Sequence, residues 1–96
     1  MVKKEFLINK FSGEEWGVGF KFFPPDLNVG ETITTCVATV TPSGLEIHGD
    51  AIIDKDDRTV TQVIRGGTSG ITYTVTFTTE ISNGYVFIDQ VLVRIK

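Results

Sequence analysis

From Ile33 to the end of the chain, threonine, valine, isoleucine and phenylalanine fill short runs separated by glycine, proline, asparagine or aspartate. The breaks come every ~8–12 residues, the cadence of a chain that folds as strands and turns. No long window carries the 3.6-residue apolar period of an amphipathic helix. These two observations predict an all-β sandwich or barrel of about seven strands.

The runs can be followed one by one. In "EWGVGFKF", Trp16, Val18, Phe20 and Phe22 alternate with Gly17, Gly19 and Lys21, which is a period of two with one heavy apolar face. Pro24 and Pro25 end that strand, because proline cannot donate to a ladder and restricts the residue before it. "TITTCVATV" follows a turn, and "TPSG" breaks it. "LEIHG" and "DAIIDK" read either as two short strands joined by a Gly-Asp turn or as one bent strand. "RTVTQVIRG", "ITYTVTFTTEI" and "YVFIDQVLVRI" complete the set. Asn83-Gly84 joins the last two, and Asn-Gly predicts a hairpin turn of type I′, with positive φ at both residues.

Alternation also assigns faces. Ile71, Tyr73, Val75 and Phe77 fall on one side of their strand and a row of threonines on the other, as in an antiparallel sheet with one wet face. The last strand is apolar on both sides, which fits a packed edge or a surface awaiting a partner. Residues 1–14 are expected to form an N-terminal arm or edge strand ahead of a sandwich domain at 15–96.

A chain of 96 residues supports one core and little more. The net charge of −3 argues against nucleic acid, which favours a basic face. No run approaches the ~20 apolar residues of a membrane span. The first sixteen residues lack the apolar stretch of a signal peptide, and no export is expected. Cys36 is the only cysteine, so no internal disulfide can form and the domain folds on packing alone.

Groups able to do chemistry are scarce. Nucleophilic catalysis needs a nucleophile and a base within hydrogen-bond reach, and Cys36 with His48 is the sole sulfur–imidazole combination. Cys36 reads better as a buried mid-strand residue and His48 as a loop histidine. One histidine and one cysteine cannot complete a tetrahedral zinc site. Asp50, Asp54, Asp56 and Asp57 lack the spacing of a calcium loop and are offset by Lys55 and Arg58, so a solvated turn is expected. "GGTSG" precedes a strand rather than a helix, and its glycines read as suppliers of positive φ, not as a phosphate cradle. No catalytic residue, cofactor or metal is predicted. What remains is surface: Trp16, Phe20 and Phe23, with Phe11 upstream, are either core or contacts for a neighbouring subunit, where aromatics are enriched.

In "GGTSGITYTV", Tyr73 follows a glycine turn at the start of a strand. Immunoglobulin-like sandwiches place a tyrosine at such a corner with its hydroxyl bonded back to the backbone. The alternative is a packed tyrosine whose hydroxyl meets water. Several motifs then recur in a known order: Gly30-Glu31-Thr32-Ile33, Pro42-Ser43-Gly44-Leu45, Gly66-Gly67-Thr68-Ser69-Gly70, Tyr73-Thr74-Val75-Thr76, and Asn83-Gly84 before Val91-Leu92-Val93-Arg94-Ile95. From about Glu15 onward the chain resembles a family of small bacteriophage and prophage proteins, the fibre-tail adaptors and tail or neck structural proteins. Two places depart from that family, which often has tryptophan where this chain has Phe22 and Cys36-Val37. The resemblance implies an immunoglobulin-like antiparallel β-sandwich built into a virion and made in the host bacterial cytoplasm. It implies no reaction; other virion proteins, copies of the chain among them, would be the partners. The competing expectation is a carbohydrate-binding or adhesive immunoglobulin-like module.

Overall fold

A computed structural model describes residues 4–96 of the chain. Those residues form seven strands and no helix: β1 (Lys4–Lys10), β2 (Glu15–Lys21), β3 (Ile33–Thr41), β4 (Leu45–Asp54), β5 (Thr59–Gly66), β6 (Thr72–Ile81) and β7 (Val86–Ile95). They make two sheets, of order β1-β7-β6-β3 and β2-β5-β4, packed as a sandwich. The orders β2-β5-β4 and β7-β6-β3 are consistent with the B-E-D and G-F-C strands of an immunoglobulin constant-type sandwich. β1 departs from the expected antiparallel pairing: it runs parallel to β7, with Leu7 opposite Leu92.

The period-two alternation resolves into an inner and an outer face. Val18 and Phe20 of β2 point inward, with Phe22 just beyond the strand, as do Tyr73, Val75 and Phe77 of β6 and Val91, Val93 and Ile95 of β7. Phe20 meets the Phe77 ring edge-on at 5.4 Å, joining one sheet to the other. Ile71 lies before the start of β6 and is partly exposed, so the apolar row begins at Tyr73. β7 is not an edge: it is an interior strand, with β1 on one side and β6 on the other.

One turn differs from expectation, and an alternative left open by the sequence is decided. The hairpin at Asn83-Gly84 is not a type I′ turn, because only Gly84 has positive φ (93°). The Gly84 N–H donates to the Ile81 carbonyl at 2.9 Å and the Ile81 N–H to the Tyr85 carbonyl at 3.0 Å. That leaves a three-residue loop whose last residue is the left-handed glycine, a common alternative to the two-residue form. The Asn83 side chain explains the choice, since its Oδ1 accepts the Tyr85 N–H at 2.8 Å. Residues 45–54 are one bent strand, not two: its register against β5 shifts between His48 and Ile52, around Gly49 at φ 73°. His48 is therefore an exposed strand residue and not a loop residue.

Candidate interaction surfaces

Strand directions sort the connections into two ends. At one end lie the β1–β2, β3–β4 and β5–β6 turns; at the other lie the β2–β3 loop, the β4–β5 turn and the β6–β7 hairpin. The molecule is 42 Å along its longest axis.

At the first end, β1 stops at a buried lysine. The Lys10 ammonium donates to the Gly66 carbonyl at 2.8 Å and the Phe11 carbonyl at 2.9 Å, tying β1 to the end of β5 in the other sheet. Removal from water pushes its pKa below the ordinary lysine value, and the nearby Glu14 charge partly offsets this. Glu14 also closes the β1–β2 turn, accepting the Phe11 N–H at 2.8 Å while its own N–H donates to the Phe11 carbonyl at 3.0 Å. With its backbone held from both directions, Phe11 leaves its ring 63% exposed. On the neighbouring β5–β6 turn, the Tyr73 hydroxyl accepts the Thr68 N–H at 3.0 Å. The tyrosine is buried beneath Gly44, where a Cβ would lie 2.7 Å from its oxygen.

At the second end, Glu31 is the organising residue. One carboxylate oxygen accepts the Asn28 N–H at 2.8 Å and the other the Asn83 side-chain amide at 2.7 Å, which ties the β2–β3 loop to the β6–β7 hairpin. Arg58, the only non-glycine residue at positive φ among those described, donates from its guanidinium to the Asn28 carbonyl and offers its own carbonyl to the Phe22 N–H. Phe23, 59% exposed, lies at this end, as do Tyr85 and Val29, both also exposed.

The four aromatics read from the sequence as core or contact thus separate. Phe11 and Phe23 are exposed at opposite ends. Trp16 is half-buried and packs against the core. Phe20, 7% exposed, belongs to the core, because its ring fills the gap between Phe6 at 5.3 Å and Phe77. The roles of Lys10 and Glu31 were not visible in sequence; Glu31 lay within a noted motif, but its partners sit 3 and 52 residues away.

Elsewhere the chemistry is sparse. Cys36 is half-buried, and burial raises its thiol pKa, an effect that the Thr79 hydroxyl bond opposes and the Asp89 charge reinforces. In the turn after β4, the Asp54 carboxylate accepts the Asp57 N–H at 3.0 Å, and Asp57 lies 3.8 Å from Lys21. Among the described residues no group of three or more His, Cys, Asp or Glu is placed to hold a metal ion. No curated protein matches the chain. A model of the family described as podophage GP4 fiber-tail adaptor protein gp77 matches residues 10–94, which span every strand except most of β1. On that match the chain belongs to the podophage GP4 fiber-tail adaptor protein gp77 family.

Proposed function

We propose that this chain is a non-enzymatic adaptor that holds tail and fibre components of a podophage-type particle together, acting only through protein–protein contacts. The observation that carries the reading is the family match over residues 10–94. The geometry agrees with it: exposed aromatics at two opposite ends of a braced sandwich suit a part that must touch two neighbours at once. Phe11, which follows the edge strand β1 of the N-terminal stretch, contacts one virion protein, and Phe23 contacts another. Trp16 and Phe20 serve the core behind them. A net charge of −3 gives phosphate no favourable field, so the partners are proteins rather than nucleic acid. The carbohydrate-binding alternative gains nothing from the family match. The test is add-back: particles assembled without the chain should lack fibres in electron micrographs and regain them when purified chain is supplied. Phe11→Ala and Phe23→Ala proteins should fold normally yet each fail to restore fibres. Fully fibred particles in the absence of the chain would overturn the proposal.

A further inference from the structure

The two outer faces of the sandwich carry charge differently. On the three-stranded sheet the charged residues pair within the chain: Arg65 binds Glu15 and Glu46 across the strands at one end, and Lys21 lies 3.8 Å from Asp57 at the other. The outer face of the four-stranded sheet is built otherwise. Its middle is Leu92, Gln90 and Ile88 of β7 beside Thr74, Thr76 and Thr78 of β6, successive cross-strand rows with no charge. In the central row the Gln90 side chain donates to the Thr76 hydroxyl at 3.4 Å. Leu7, Val37 and Val86 are exposed around it. The charges stand at the margins: Glu5 on β1, Arg94 one row beyond Leu92 and Glu80 one row beyond Thr78. Arg94 and Glu80 lie about 27 Å apart along the strands, and neither forms an ion pair among the described residues. A charge-poor centre with charges at its rim is the pattern of a protein interface.

We propose that this face is where two free copies of the chain pair, sheet on sheet, about a two-fold axis that crosses the strands at Gln90 and Thr76. Sheets packed face to face lie ~10 Å apart with their strands within about 30° of alignment. The axis sets Leu92 of one copy against Ile88 of the other. It places Arg94 one strand, about 5 Å sideways, from Glu80 of the other copy, and does so twice by symmetry. A second copy is the occupant because of this charge match: two unpaired charges too distant to meet within one chain meet between two. An axis along the strands would instead bring Arg94 toward Arg94 and Glu80 toward Glu80. Only Glu5, at the β1 margin of the axis row, then meets its own kind.

The area suffices. Four strands ~4.8 Å apart and about 30 Å long present roughly 550 Å² per copy. The pair then buries ~1,100 Å², which clears the ~1,000 Å² of a specific interface. Both ends of each copy stay uncovered, with the Phe11 end of one beside the Phe23 end of the other. The pairing belongs to the free chain and does not rest on the adaptor reading.

Sedimentation velocity over a concentration series from about 1 μM to 1 mM tests it. The wild-type chain should rise from the mass of one copy to that of two. Arg94→Glu and Glu80→Arg should each weaken the pair by about tenfold or more, since each reversal acts at both symmetric contacts. Both reversals in one chain should restore pairing, as should an equimolar mixture of the single variants. That restoration cannot arise within one chain, where the two positions are too far apart. Glu5→Gln should tighten the pair by about twofold or more, because it removes the one like-charge contact. A wild-type chain that stays at one copy throughout, a single reversal that pairs as wild type, a double reversal that does not recover, or a Glu5→Gln chain that pairs more weakly would overturn the inference. A wild-type chain that never pairs but restores fibres to chain-free particles would sink the pairing and leave the adaptor reading standing.

Discussion

The Tyr73 hydroxyl and the Cys36 thiol show what single groups contribute in so small a domain. Tyr73 accepts the Thr68 N–H across the β5–β6 turn, and its ring is buried with the core residues Val75 and Phe77. Phenylalanine at this site keeps the ring and loses the bond. Tyr73→Phe should cost about 1 kcal/mol, or roughly 4–8 °C in Tm for a domain of this size, measured by thermal melting. Cys36 makes a prediction about pH. Its thiol pKa is raised in the folded chain, chiefly by burial, so less reactive thiolate is present at any pH below that value. The rate of iodoacetamide alkylation against pH should therefore be displaced to higher pH for the native chain than for the chain in urea. Coincident curves would contradict the assigned burial.

At the scale of elements, β2 meets β5 so closely that one glycine is compulsory. A Cβ at Gly19 would lie 1.8 Å from the Val60 carbonyl oxygen, whereas at Gly13 it would meet nothing within 4 Å. Gly19→Ala should lose at least about 3 kcal/mol or fail to fold, while Gly13→Ala stays within about 0.5 kcal/mol, both read from urea unfolding. The strand that sequence showed most clearly, β6, keeps strict alternation because one face is core and the other is a row of threonines ending in Glu80. β1 was hard to read because its inward positions are Lys4, Phe6, Ile8 and Lys10, which breaks the apolar pattern at both ends. The structure accommodates both lysines by their stems and donors: the Lys4 ammonium sits 4.6 Å from the centre of the Phe22 ring, and Lys10 caps carbonyls. Asp89 interrupts β7 similarly, being buried at the register position shared by Lys4 and Phe77. Pattern reading detects apolar periodicity, and it is blind wherever a charged residue is turned inward. It was equally blind to the Glu31 latch, whose partners are distant in sequence.

For the whole molecule, sequence carried the fold class and, through its ordered motifs, the family, but not the arrangement of the exposed aromatics. Phe11 and Phe23 are twelve positions apart on either side of β2, and only the strand's direction reveals that they occupy opposite ends. Each end is braced by a carboxylate that accepts a backbone N–H, and in the proposed reading this makes a spacer with a fixed separation between its contacts. That is the property an adaptor requires, and it does not depend on any reaction. The most direct measurement is an electron cryo-microscopy map of the assembled particle at a resolution that traces strands. The account predicts this sandwich at the junction of tail and fibre, with the Phe11 end against one protein and the Phe23 end against a different one. A particle map without the chain at that junction, or with both ends bare to solvent, would contradict it.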